Sequence, residues 1–193
     1  MSTRIAVVCE DPIYDQYIAK PVIEAAMQRI GKPHAVVKVI TNPKTSGWDS
    51  LVASIPGALQ LWGPASAAVV FVADADCNDG ANGRPNRMIQ LENAIQRAGS
   101  RHCAVGVIAI QELEVWALWG SAGSIGKPWH AVRAECDPKD KFFNGLVPPS
   151  HLHLPDRGRK ALVEQSLARG WQSLSEACGE LQILEAGLRA RLP

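Results

Sequence analysis

The sequence predicts an α/β fold: a mostly parallel sheet flanked by helices, with further helices added toward the C-terminus. Three observations carry that expectation. Short apolar runs rich in valine and isoleucine recur through the first half of the chain, and each is followed by a stretch of helical spacing. Such alternation of strands and helices builds parallel sheets, because a parallel pair needs a crossover between its members. The runs are apolar throughout instead of alternating with polar residues, as suits strands covered on both faces.

Ile5-Ala6-Val7-Val8-Cys9 is the first strand. Asp11-Pro12 reads as a helix N-cap followed by proline at the first helical position. Ile13, Tyr17, Ile18, Val22, Ala25, Ala26 and Met27 continue at helical spacing to a stop at Gly31. Residues 35–40 form the second strand, ended by Thr41-Asn42-Pro43. A helix from Trp48 to about Leu61 follows, and Pro56 is expected to break or kink it. Ala67-Ala68-Val69-Val70-Phe71-Val72 is the third strand, succeeded by a polar loop from Asp76 to Pro85 and a helix over 85–98 that stops at Gly99. The fourth strand covers 102–110, and 111–119 is helical.

Residues 120–157 are rich in Gly, Pro and His and show no period, which is too long for an ordinary connection and reads as a functional loop or irregular insertion. Helix returns over 158–191, where Leu162, Leu167, Trp171, Leu174, Leu181, Leu184 and Leu188 can pack on the domain. With no internal repeat or low-complexity linker, one domain is expected, its core at about 4–119.

A hydrophobic share of 47% with 20% charged residues places the chain among ordinary globular proteins. No run approaches the ~18 apolar residues of a membrane helix. Met1-Ser2-Thr3-Arg4 leads into a strand without the regions of a signal peptide, so a cytoplasmic protein with no membrane association is expected. Five scattered cysteines without a C-x-x-C pair argue against a disulfide framework and a structural zinc, and reduced thiols are expected. A net charge of +1 does not announce a nucleic-acid binder, although overall neutrality can hide a basic patch.

The acids are more informative. Glu10 follows the first strand, Asp74 and Asp76 the third, and Glu112 and Glu114 the fourth. The carboxyl ends of parallel strands open on one edge, where ligands bind, so three strand ends deliver five acids to one crevice. Asp74 and Asp76 point the same way if the chain stays extended. Crowded like charges need compensation, and a hard cation such as Mg²⁺ or Mn²⁺ with oxygen ligands supplies it. Two such ions would activate water and stabilise the leaving oxygen in phosphodiester cleavage. Each acid taken singly has an ordinary explanation as a helix cap or first-turn residue. Glu112 and Glu114, two apart on a helix, do not share a face.

An apolar strand ending in Glu and a later one ending in Asp-x-Asp resemble the TOPRIM fold of topoisomerases, primases and overcoming-lysogenization-defect nucleases. Ile110-Gln111-Glu112-Leu113-Glu114-Val115-Trp116 is similar to the E-L-E-x-W segment of small stand-alone TOPRIM-like proteins of unknown function, and Asp137-Pro138-Lys139 and Gly158-Arg159-Lys160 are similar to later segments of that family. The resemblance implies a metal-dependent nuclease. Glu10 would be a metal ligand or general base, Asp74 and Asp76 the main metal ligands, and Glu112 and Glu114 a second metal position. Lys139, or its neighbour Lys141, would offset charge on the scissile phosphate. Where the family often has Gly and a further acid after the first Glu, this chain has Asp11 and Tyr14, so Asp11 or Asp15 would substitute. The implied partners are nucleic acid, DNA ahead of RNA with a nucleotide also open, and a companion ATPase of an antiviral defence system; self-association into a homo-oligomer is left open.

Other motifs fail on geometry. Asp74 to Gly80 begins like a calcium loop, but its glycine falls one place late and Pro85 stands where Glu is needed. Gly120 to Lys127 lacks the Walker spacing, and Pro128 replaces its Ser/Thr. His151 and His153 form an isolated H-x-H in a proline-rich loop. The rival to a nuclease is a non-catalytic regulatory or sensor subunit. The Glu10-Asp11 pair and Asp74 also fit the phospho-acceptor pocket of a receiver domain, although strand four ends in Gln-Glu instead of Thr or Ser.

Overall fold

The computed structural model describes residues 3–42, 44–77, 84–99 and 104–192. Pro43, most of the polar loop expected after Asp76, and His102 and Cys103 of the expected fourth strand lie outside the described residues. Four strands form one all-parallel sheet: β1 (Arg4–Cys9), β2 (Val36–Val39), β3 (Ala68–Asp74) and β4 (Ala104–Ala109). Their order is β2-β1-β3-β4, with Ile5 flanked by Val37 and Ala68, and Val69 by Ala104. Because β2 and β3 lie on opposite sides of β1, the chain leaves β1 and β3 in diverging directions. A crevice opens between their carboxyl ends, the position where ligands bind in open α/β sheets.

Helices cover both faces. α1 (Gln16–Arg29), α2 (Trp48–Trp62) and α3 (Arg84–Arg97) connect the strands. Successive strand residues point to opposite faces, and so feed two cores. Val7, Cys9, Val70, Val72 and Val107 pack with α1 and the C-terminal part of the chain. Val8, Val69, Phe71 and Ile108 pack with α2 and α3. Burying each such side chain contributes about 1.5–3 kcal/mol, so β3, enclosed along all but its last residue, anchors the sheet.

Two local expectations are corrected. Asp11-Pro12 does not open α1. The Asp11 carboxylate instead accepts the Ile13 amide at 2.9 Å, a local turn that competes with helix, and Asp15 takes the cap position. Of the break or kink expected at Pro56, the break is absent: α2 continues through the proline while Leu51, Ile55, Ala58 and Leu59 are buried, and packing of that face outweighs one lost amide bond.

The stretch 120–157 holds more regular structure than its composition suggests. α4 (Glu114–Leu118) passes into a 3₁₀ segment, Trp119–Ser124, and then α5 (Trp129–Ala134). A π-helical turn, Lys139–Phe143, runs into α6 (Asn144–Leu146). The expected C-terminal helices are three: α7 (Arg159–Ala168), α8 (Trp171–Ala177) and α9 (Glu180–Arg191). Gly170, at φ +90°, separates the first two. Gly120 lies so close to α7 that a Cβ there would stand 2.5 Å from the Gln165–Ser166 backbone, which explains why only glycine fits.

Glu180, buried at the start of α9, ties these pieces to the sheet. It accepts from the Ile110 amide (3.3 Å), from Trp116 Nε1 (2.9 Å) and from both Nη atoms of Arg133 (2.8 and 2.6 Å). Burial opposes its ionisation, but the Arg133 and Trp116 bonds outweigh that and hold its carboxyl below the usual range. Cys77 and Cys136 are joined in a disulfide with Cα atoms 4.8 Å apart, which corrects the expectation of reduced thiols; Cys9 and Cys178 are free and buried. Among the described residues no helix is long and apolar enough to cross a membrane.

Candidate functional site

The carboxyl edge of the sheet gathers the acids. Glu10 stands one residue past β1, and its amide donates to the Val72 carbonyl at 3.0 Å, carrying the β1–β3 ladder one step beyond the strand. Its Oε2 accepts the Asp74 amide at 3.2 Å, so the side chain reaches across the crevice. Asp74 is the last residue of β3, and its Oδ1 accepts the Leu113 amide at 2.8 Å. Asp15, at the cap of α1, accepts the Asp11 amide at 2.8 Å.

These three carboxyls repel one another in a dehydrated setting. Burial, then the charges of Asp15, Glu114 and Glu10, pushes Asp74 well above the ordinary carboxylate range against the help of the Leu113 amide. Burial also dominates for Asp15, which is pushed up to about 7 with Glu114, Asp11 and Glu10 contributing. Glu10 is raised by burial, partly offset by the Asp74 amide and the Arg87 guanidinium.

Asp76 has a different role in the structure. The extended geometry that would align it with Asp74 ends at Asp74, because Asp76 turns to φ +50°. Its amide donates to the carbonyl of Gln111, itself at φ +66°, with a 3.0 Å bond. Left-handed non-glycine residues cost about 1–3 kcal/mol each and concentrate at functional sites; here two sit side by side at the ends of β3 and β4. The half-exposed Asp76 carboxylate pairs with Arg87 Nη2 at 2.8 Å. Arg87, largely buried, also donates to the Asp74 carbonyl at 2.7 Å and lies 4.9 Å over the Trp48 ring.

Glu112 and Glu114 are likewise engaged separately. Glu112 Oε2 accepts the main-chain amide of Lys139 at 2.9 Å. Burial raises its carboxyl, while the Lys139 amide and ammonium favour the charged form. Lys139 therefore enters the site through its backbone as well as its charge. Glu114, buried at the start of α4, accepts from Arg159, whose guanidinium lies over the Tyr14 ring at 5.1 Å and the Phe143 ring at 5.6 Å. Gly158 delivers that arginine from a left-handed turn (φ +79°) where a Cβ would meet Val147 at 2.5 Å.

The edge thus sorts its acids. Asp76 and Glu114 have their own arginines, whereas among the described residues no ion pair engages Glu10, Asp15 or Asp74. Arg87 and Arg159 escaped the reading of the sequence as charge partners; their only signal is position, in the first turn of a helix after an acidic strand end and after a glycine. Among the described residues no three Asp, Glu, His or Cys side chains form a ready-made metal cage. No family model, curated protein or solved structure matches this chain, so its own geometry carries the functional reading.

Proposed function

We propose that the chain is a metal-dependent phosphodiesterase, a nuclease acting on nucleic acid at the β1–β3 crevice. The carrying observation is that Glu10, Asp15 and Asp74 converge there with no ion pair to any of them among the described residues, and each holds its proton above the ordinary range, Glu10 even with the Arg87 guanidinium nearby. A donor set made only of carboxylate oxygens suits a hard cation such as Mg²⁺ or Mn²⁺. Glu10, Asp15 and Asp74 would hold it, whereas Asp76 and Glu114 are taken by Arg87 and Arg159. Bound there, such an ion supplies an activated water and charge stabilisation for the leaving oxygen.

The chain's own residues prepare the place. Arg87 keeps Asp76 turned aside and grips the Asp74 carbonyl, tying the end of β3 to α3. A cavity of about 340 Å³ is lined by Ser46, Gly47, Trp48, Asp49 and Arg87, the same arginine that grips the end of β3, and gives room for a phosphate-bearing group. An ATPase partner, a defence role and DNA as the preferred substrate rest on the TOPRIM resemblance.

Cleavage of plasmid, single-stranded DNA and RNA with Mg²⁺ or Mn²⁺ tests this, comparing wild type with Asp74→Ala. A loss of about 10²-fold or more in the variant supports the assignment; equal cutting by a folded variant overturns it. A receiver-like regulatory role is the second reading, favoured by the β2-β1-β3-β4 order with acids after β1 and β3. Transfer of phosphate from an acyl phosphate to Asp74, without nuclease activity, would establish it instead.

A further inference from the structure

Cys77 directly follows Asp76, and Cys136 lies three residues before Lys139, the residue whose amide caps Glu112. The disulfide therefore joins the two segments that border the acidic edge: the turn after β3 and the approach to the π-helical turn Lys139–Phe143. The second segment reaches deeper, because Phe143 packs beneath the Arg159 guanidinium that neutralises Glu114. Cys77 is exposed and Cys136 half-buried, so small thiols can reach the bond.

We propose that the Cys77–Cys136 disulfide is a redox latch: closed, it fastens the 135–139 segment against the Asp76 turn, and opened by a dithiol it releases the grip on Glu112. Opening is ordinary thiol–disulfide exchange. A thiolate of the dithiol attacks one sulfur, the protein S–S bond breaks, and a mixed disulfide forms. The second thiol attacks that mixed bond and leaves a small cyclic disulfide. Two electrons and two protons pass from the dithiol to Cys77 and Cys136. A low-molecular-weight disulfide reverses the step. No longer tethered to the 135–139 segment by the Lys139 amide, the Glu112 side chain is free to turn toward a cation held by Asp74 and Glu10, so the reduced form binds divalent metal more tightly. That last consequence rests on the metal-site reading above.

The full chain, oxidised with a small disulfide or reduced with a dithiol, is followed by hydrogen exchange and Mn²⁺ titration. Peptide mapping of the oxidised protein should recover a linked Cys77–Cys136 pair. Exchange at the Lys139 amide should quicken about tenfold or more on reduction, and Mn²⁺ affinity should rise several-fold. Cys77→Ser and Cys136→Ser should each match the reduced wild type under both conditions. Absence of the link, or identical exchange in the two forms, overturns the latch. Identical Mn²⁺ affinity overturns its control of the site. A redox-dependent exchange difference in a protein that never cleaves nucleic acid supports the latch and counts only against the nuclease.

Discussion

Arg159 and Glu114 form an ion pair in which the side chains are 6% and 7% exposed, with the guanidinium enclosed between Tyr14 and Phe143. At such a position neither charge has water to fall back on. The pair fixes α7 to α4 at the border of the acidic crevice, and it removes Glu114 from the set of acids that need a cation.

Arg159→Met should therefore strand a buried carboxylate and lower stability by about 3–5 kcal/mol. Adding Glu114→Gln to that variant should restore a large part of the loss, because the uncompensated charge is gone. Urea midpoints of the wild type, the single and the double variant measure this; additive losses would refute the pairing.

The pH dependence has a defined sign. Asp15 holds its proton to about 7 in the folded chain, because of burial and then its acidic neighbours, against about 3.9 when unfolded. Between those values the folded chain carries a proton that the unfolded chain has released. Metal-free stability should then fall as pH rises from about 4 through 7, with Asp74 and Glu10 acting in the same direction. Thermal unfolding in chelator at pH 5 and pH 8 should show the lower midpoint at pH 8, with Mg²⁺ recovering more there than at pH 5. A flat profile would contradict the crowding of these carboxyls.

Asp74→Asn keeps an oxygen for the Leu113 amide while deleting one of the crowded charges. In chelator at pH 8 its melting temperature should rise by about 2–4 °C, the shift expected for roughly 1 kcal/mol in a chain of this size. The same substitution should abolish cleavage. A variant that loses both activity and stability would mean that Asp74 serves packing instead of a cation.

Arg87→Gln should act on Glu10 without touching it. The guanidinium favours the ionised form of Glu10, so its removal should move the pH dependence of Mn²⁺ binding to higher pH. Titrations across pH 5–8 would show this, and an unchanged profile would separate Arg87 from the site.

The sheet was legible because its strands are buried on both faces and therefore read as unbroken apolar runs. β1, β3 and β4 begin and end within a few residues of expectation. The gathering of Glu10, Asp74 and Glu114 at one edge followed from parallel topology alone. What stayed hidden depends on contacts between distant segments. Nothing local marks Arg159 as the partner of Glu114, 45 residues earlier, or Cys136 as the partner of Cys77, 59 residues away. The turn of Asp76 was hidden for the same reason, since it is held by Gln111 and Arg87 instead of by its neighbours.

Glu180 sets a timetable. The Ile110 amide waits for a carboxylate 70 residues further along, and Trp116 and Arg133 wait for the same group. At about 5–20 residues per second of synthesis, that interval lasts about 4–14 seconds. Throughout it the nascent chain carries a β4 end without its anchor, and from Trp116 onward an indole without its acceptor. Chaperone contact should concentrate on that interval, and a ribosome paused between residues 110 and 180 should hold a chain still sensitive to protease at β4.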